Sequence, residues 1–225
     1  MKRFFYSVIT LWALILFMHE HAMAQYTDAR SYYQKNKRYI NAPAPVDPMI
    51  ILKNVSNIAD SLKIFIEDHP DCNQNIVFIL NMRIVSGRKR FFVYDYTQRK
   101  IIDESLVAHG SSSDIIVAGV PQLQFGNAPG SYMTSLGKYL IGKSYMGEFG
   151  KSYMLYGLDK TNSNAAERNI VLHAYNNVPD KEQIYPIVES SGCPMVSPAF
   201  FKRLEKIIDS SSGKILLYIC YDPFH

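Results

Sequence analysis

Hydrophobic and polar residues alternate along this chain with two different periods. Ile58, Leu62, Phe65 and Ile66 recur at helical spacing, so the pattern predicts a helix over 57–69, with Ser56 as its cap and Pro70 as its stop. The period then shortens. Segments 76–85, 90–96 and 100–108 are rich in Ile, Val, Phe and Tyr and are parted by Ser86-Gly87-Arg88 and Thr97-Gln98-Arg99. They predict three consecutive antiparallel strands. Nine of the twelve glycines fall between Gly110 and Gly157. Each would cost a helix about 1 kcal/mol relative to alanine, so that stretch predicts short strands, tight turns and bulges. Interleaved Tyr132, Tyr139, Tyr145, Tyr153 and Tyr156 fit strand packing better than an aromatic wall for a peptide or sugar, because aromatic residues suit strands in any case. A further strand over 169–175 ends near His173. Ser197-Pro198 opens a helix with Phe200, Phe201, Leu204, Ile207 and Ile208 on one face, and 214–221 closes the fold as a strand. The fold class expected is mostly β, a single domain with a few peripheral helices.

The N-terminus changes the picture of where the protein works. Lys2 and Arg3 precede an apolar run over 8–18 that only Thr10 interrupts, and Ala22-Met23-Ala24 has the small-x-small form of a cleavage site. Residues 1–24 therefore read as a secretory signal peptide, with export to the periplasm or cell envelope. The run is too short to span a bilayer well, so no stable membrane span is expected after cleavage. His19-Glu20-His21 lies in the segment to be removed and is set aside as a metal motif. Residues 25–55 are polar and proline-bearing, with Pro43 and Pro45 at their centre, and read as a linker or arm before a domain over 56–225. Hydrophobic content of 48% requires a folded core, and a net charge of +4 without a dense basic stripe argues against nucleic-acid binding.

Three cysteines, Cys72, Cys193 and Cys220, leave an odd thiol in an exported protein. Cys220 sits in an apolar strand and Cys72 in a turn. A bridge between them is open, because sequence alone does not place their Cα atoms. On either view Cys193 is the unpaired one. It stands in the small-residue turn Ser190-Ser191-Gly192-Cys193-Pro194, with His173 at a strand end upstream and the Pro198 helix start downstream. Thiolates are favoured by a histidine or a helix N-terminus, so Cys193 is a candidate nucleophile and His173 a candidate base. Gly192 lets the backbone approach a carbonyl, and the N–H groups of Gly192 and Cys193 are candidate oxyanion donors.

The stretch from about Ile76 to Asp222 resembles the YkuD-type L,D-transpeptidases, in particular their murein L,D-transpeptidase catalytic domain branch. The resemblance rests on an ordered series: Val107-Ala108-His109-Gly110, Phe125-Gly126-Asn127, Pro129-Gly130-Ser131, the run from Thr134 to Tyr139, Tyr156-Gly157-Leu158, the run from Asn162 to Arg168, Ile170-Val171-Leu172-His173, and Ser190 to Pro194. It implies a YkuD-like β-sandwich and a covalent cysteine mechanism with no cofactor and no metal. Peptidoglycan stem peptides are the substrate it implies. Carried over by motif, Cys193 attacks the stem peptide carbonyl and His173 takes its proton. Ser190 matches the serine before the Gly-Cys, and Gly192 supplies the turn. His109, Ser191, Tyr156 and Arg168 are candidates for substrate contact. Arg168 lies five residues before His173, and unbroken alternation would put it on the opposite face, which favours a structural role. His109, at a strand end, also favours a structural role.

Four positions depart from the family pattern. Ala174 follows His173 where glycine is usual, Ser191 replaces histidine or tryptophan, and Gly126 replaces serine. The arginine that follows the cysteine in the broader family is absent, as the narrower branch would have it. Two further functions compete with transpeptidation: an L,D-carboxypeptidase or other hydrolase on the same thioester path, and a catalytically weak peptidoglycan-binding module. A papain-like protease fits less well, since the order of Cys and His is reversed.

Overall fold

A single strand, β10 (Lys214–Cys220), sits at the middle of the molecule and is buried on both faces. The computed structural model describes residues 46–117, 120–184 and 186–222. The expected signal segment 1–24 and residues 25–45 of the arm lie outside them. Residues 42–225 form one compact unit. The helices and strands are α1 (Pro48–Glu67), β1 (Cys72–Asn81), β2 (Phe91–Asp95), β3 (Lys100–Ser105), β4 (Asp114–Val117), β5 (Val120–Leu123), β6 (Gly137–Gly147), β7 (Gly150–Gly157), β8 (Val171–Ala174), β9 (Met195–Val196), α2 (Pro198–Asp209) and β10. Eight strands make one sheet in the order β3-β2-β1-β10-β6-β7-β8-β9, and β4 pairs with β5 alone. The fold is mostly β with two helices among the described residues, as the periodicity predicts.

Strands β1, β2 and β3 pair antiparallel in sequence order, matching the three expected strands. Strand β1 also pairs parallel with β10. It has helices on both sides. Phe78 and Leu80 face the core shared with Phe200, Phe201 and Leu204 of α2, while Val77 and Ile79 face Val55, Ile58, Leu62 and Ile66 of α1. Burial on both faces is why this strand reads as a continuous apolar run rather than an alternation.

The first helix begins nine residues before the expected start. Asp47 caps it, Oδ1 accepting from the N–H of Met49 over 2.8 Å, and Pro48 takes the first position with its φ preset for the helix. Met49-Ile50-Ile51-Leu52 is an unbroken apolar run without helical alternation, although only Ile51 of the four packs against the core. The second helix starts where expected: Ser197 Oγ accepts from the N–H of Phe200 over 3.3 Å.

In the glycine-rich region the chain makes two short strands, β4 and β5, as expected, and then two long ones, β6 and β7. Gly137, Gly147, Gly150 and Gly157 lie at their ends. A bulge interrupts β6 between Ile141 and Ser144. One extra residue inverts the side-chain alternation. Tyr139 and Ile141 therefore point into the α2-side core, whereas Tyr145, an even number of residues further on, pairs with Ser152 on the other face. The tyrosines thus divide. Tyr139 and Tyr153 are core residues, and Tyr145 and Tyr156 are exposed on the face that α1 covers further along the sheet.

Cys72 and Cys220 are not bridged. Cys72 is the register partner of Lys214, six residues from Cys220 along β10, so the two thiols are about 20 Å apart at ~3.3 Å per residue. All three cysteines are free, and the parity argument that singled out Cys193 does not hold; Cys72 and Cys220 are buried while Cys193 is partly accessible.

Candidate active site

The nucleophile and base candidates lie on neighbouring segments at the edge of the sheet, where β8 and β9 run parallel. His173 is the register partner of Met195, and Cys193 lies two residues before Met195. Strand β8 consequently presents the N–H of Val171 to Cys193 Sγ over 3.4 Å, and Sγ in turn faces the carbonyl oxygen of Asn169 at 3.7 Å. The hydrogen bonds of the thiol run to backbone; none joins it to the His173 ring. Nδ1–H of His173 donates to the carbonyl of Ala174 at 3.0 Å, which leaves Nε2 as the acceptor.

Electrostatics set the resting protonation. Burial pushes the Cys193 thiol above its ordinary value, against the opposing pull of the Val171 N–H and the Arg168 guanidinium. Burial also pushes His173 below its ordinary value, with the Ala174 carbonyl opposing. The pair therefore rests as thiol and neutral imidazole. The groups that favour the thiolate are the Val171 N–H and the Arg168 guanidinium.

Gly192 adopts φ +117°, where L side chains are strained. A Cβ there would lie 2.8 Å from the Met133 carbonyl and 3.0 Å from Arg168 Nη2. Its N–H is not free: it donates to Ser190 Oγ over 3.0 Å. Ser190 is buried, and its main chain is locked to the segment His109 to Ser111. The Ser190 N–H donates to the His109 carbonyl and the Ser111 N–H to the Ser190 carbonyl, each over 2.8 Å. Ser191 is exposed in the turn between them.

The remaining candidates act at different distances from the thiol. Arg168 abuts the nucleophile turn, and its two Nη groups donate to Gly126 O (3.0 Å), Ser135 Oγ (2.5 Å) and Met133 O (2.6 Å). It clamps the loop from Gly126 to Ser135. His109 is buried and supports the turn through its backbone. Tyr156 shares a sheet face with His173, since β7 places Ser152, Met154 and Tyr156 on one side and Ser152 is opposite His173. With Leu140, Gly142, Lys143, Tyr145 and Met154 it lines a groove of about 760 Å³. A second cleft, of about 670 Å³ along β3, is lined by the ion-paired Lys89, Asp103, Glu104 and Arg203; neither it nor the Tyr156 groove is lined by Cys193 or His173.

Several residues that shape this site carry no local signal in the sequence. Arg90 is fully buried, and its guanidinium donates to Val107 O, Ile84 O and, over 2.8 Å, to Nδ1 of His109. Because arginine only donates, Nδ1 accepts and Nε2–H of His109 donates to Asp114 Oδ1 at 3.0 Å. Asp114 in turn shares a proton with Glu189, whose carboxyl is pushed up to about 8 by burial and by Asp114. His109, Asp114 and Glu189 bring three ligand-type atoms within 4.8 Å. The Arg90 bond fixes the proton on His109 Nε2, so that nitrogen has no lone pair to give a cation. A charge inside the apolar strand pattern at Arg90 was the one hint of this network. The motif asparagines are knitting residues: Asn127 Oδ1 accepts from the Asn164 N–H at 3.2 Å and Asn127 Nδ2 donates to Lys160 O at 3.2 Å.

A family model of the L,D-transpeptidase catalytic domain (YkuD_2) matches residues 52–219. The chain belongs to this family. Solved structures similar to this L,D-transpeptidase domain include an L,D-transpeptidase from Xylanimonas cellulosilytica, 10% identical over 64% of this chain and 60% of that one, with a TM-score of 0.36. The helical cell shape determining protein Pgp2 of Campylobacter jejuni is 13% identical over 67% of this chain and 49% of that one, with a TM-score of 0.43. An L,D-transpeptidase from Mycobacterium tuberculosis is 10% identical over 64% and 57%, with a TM-score of 0.34. The L,D-transpeptidase domain described here thus spans less than two thirds of the length of each. No curated protein matches the chain. Among the described residues, no helix is long and apolar enough to cross a membrane.

Proposed function

We propose that this L,D-transpeptidase is an exported enzyme that uses Cys193 to carry a peptidoglycan stem peptide as a thioester. The observation that carries this reading is the parallel β8–β9 register, which sets Cys193 Sγ on the Val171 N–H two residues from His173. Sγ attacks the carbonyl of the residue before the terminal D-alanine, and the thiol proton passes to Nε2 of His173. The tetrahedral oxyanion forms beside the N–H of Cys193; the Gly192 N–H is held by Ser190 Oγ, so Gly192 contributes the turn conformation. Collapse breaks the peptide bond, His173 protonates the departing D-alanine amine, and a thioester is left. An acceptor amine attacks that thioester, gives its proton to His173, and releases the linked product and the thiol.

Incubation of the purified domain with a tetrapeptide muropeptide tests the reading. The expected result is release of D-alanine and an intact-mass increase that maps to Cys193. Full activity in Cys193→Ala would overturn it. Linked dimers as product mean an amine acceptor, and trimmed monomers mean water. The absence of a thiol–imidazole hydrogen bond favours a second reading, a weakly catalytic peptidoglycan-binding module. That reading predicts sedimentation with murein sacculi but no Cys193 adduct. Export after cleavage at Ala24 is tested by N-terminal sequencing of the protein recovered from the cell envelope.

A further inference from the structure

The turn that joins β6 to β7 lays a phenyl ring on the imidazole of His173. The strands close on the pair Gly147–Gly150, so Glu148-Phe149 is a two-residue hairpin loop, and Gly150 takes φ +76°, a region open to glycine. The ring centroids of Phe149 and His173 are 4.4 Å apart with planes 23° from parallel. Phe149 is 49% exposed, yet His173 beneath it is 1% exposed. The phenyl ring buries the imidazole more than it buries itself.

Other restraints on the imidazole are few. Among the described residues, its one hydrogen bond goes to the carbonyl of the next residue, Ala174. On β7, the directly opposite Ser152 donates its hydroxyl to Gly150 O at 3.2 Å, inside the hairpin rather than to the ring. On β9 the partner is Met195, packed with Val178 and Ile187.

We infer that Phe149 is a positioning residue for the base: stacked from the hairpin tip, it fixes the plane of the His173 ring and shields it from water. The inference rests on the reading of His173 as the base. The stack accounts for the direction of His173's basicity, which burial lowers. Titratable groups on the surrounding elements are Tyr145 on β6, Glu148 and Lys151 on the hairpin, Tyr175 after β8 and the Cys193 thiol. Lys151 is bound by Glu205 and Asp209, and α2 turns Phe200, Phe201 and Leu204 inward. None of these groups is a cause of the His173 shift, which is set by burial and then by the Ala174 carbonyl.

The test uses Phe149→Ala, Phe149→Leu and Phe149→Tyr in the full chain, with two readouts. One is the pH profile of Cys193 acylation by a tetrapeptide muropeptide; the other is the titration of the His173 ring by NMR. Phe149→Ala is expected to move both acid limbs up toward the ordinary value of about 6.5 and to slow acylation at neutral pH about tenfold. Phe149→Tyr restores both. Phe149→Leu covers the ring without stacking, so its titration stays low while acylation falls. An alanine variant that titrates and acylates like the parent overturns the inference, as does a leucine variant that matches the parent in both. If Phe149→Ala does not fold, the leucine and tyrosine variants decide. A parent protein that forms no Cys193 adduct refutes the proposed function instead, and the ring titration still decides the role of Phe149.

Discussion

The backbone N–H of Val171 donates to Cys193 Sγ over 3.4 Å, so the strand that carries the base also holds the nucleophile. That bond and the nearby Arg168 oppose the effect of burial, which keeps the thiol protonated at neutral pH. Alkylation by iodoacetamide is expected to be slow at pH 7 and to accelerate into the alkaline range, because the thiol titrates above its ordinary value. Enzymatic acylation should also rise with pH but earlier, as His173 loses its proton below the ordinary histidine value, and should level before the thiol titrates. Rates of adduct formation by intact mass across pH check both; a maximal iodoacetamide rate already reached at pH 6 would mean a preformed thiolate.

Arg168→Gln should damage both stability and reactivity. The substitution removes charged donors from Gly126 O, Met133 O and Ser135 Oγ. Hydrogen bonds from a charged group contribute about 1.5–3 kcal/mol each in buried settings, and with this residue partly exposed a net loss of about 2 kcal/mol is expected. Urea denaturation measures it. The same change removes a positive charge beside Cys193, so alkylation at a fixed pH should slow as well.

Gly192→Ala introduces a Cβ where the Met133 carbonyl would be 2.8 Å away, at a φ of +117°. Backbone strain of this kind costs about 1–3 kcal/mol. The expected outcome is a folded protein by circular dichroism in which acylation of Cys193 falls at least about tenfold, because the turn moves the sulfur away from Val171. Retention of the parent rate would show that the turn tolerates a side chain.

Glu189 makes the nucleophile turn sensitive to alkali. Its carboxyl titrates at about 8 in the fold against a reference value of 4.5, so the folded state binds the extra proton. Stability from this group is fully present below pH 4.5 and is lost as pH rises toward 8. Glu189→Gln keeps a donor for Asp114 and removes the titration. Its melting temperature should exceed the parent's at pH 8.5 and approach it at pH 5, with a gain of about 1 kcal/mol after allowing for solvent screening of a half-exposed group. Calorimetry at the two pH values decides it.

Thiol titration separates the three cysteines. In denaturant all three, Cys72, Cys193 and Cys220, should react without prior reduction, since the chain has no disulfide. In the native protein Cys193 should react well before the other two, because Cys72 and Cys220 are buried and Cys193 is partly accessible.

Much of the fold could be read directly from the chain. The meander of β1, β2 and β3 and the Ser197-capped α2 have local causes: β-branched runs, turn residues and a capping hydroxyl followed by proline. The early start of α1 also has a local cause, the Asp47–Pro48 pair, but the unbroken apolar run 49–52 shows no helical alternation. By contrast, the fates of the tyrosines depended on where one bulge falls in β6: the glycines predict bulges in this stretch but not the position between Ile141 and Ser144.

The same division runs through the site. The amino-acid sequence by itself determined which atoms are available for chemistry: a thiol in a small-residue turn, an imidazole on a strand, and a glycine where the turn needs one. Tertiary structure alone decided what each atom touches. Arg168 spends its donors on carbonyls more than thirty residues earlier in the chain. Gly192 gives its N–H to Ser190, and Phe149 reaches His173 from a hairpin tip. The reason is physical. A residue's capacity to donate, accept or ionise belongs to its own covalent structure, whereas its partners and its burial are set by strand register and loop closure over long separations, which local sequence does not encode.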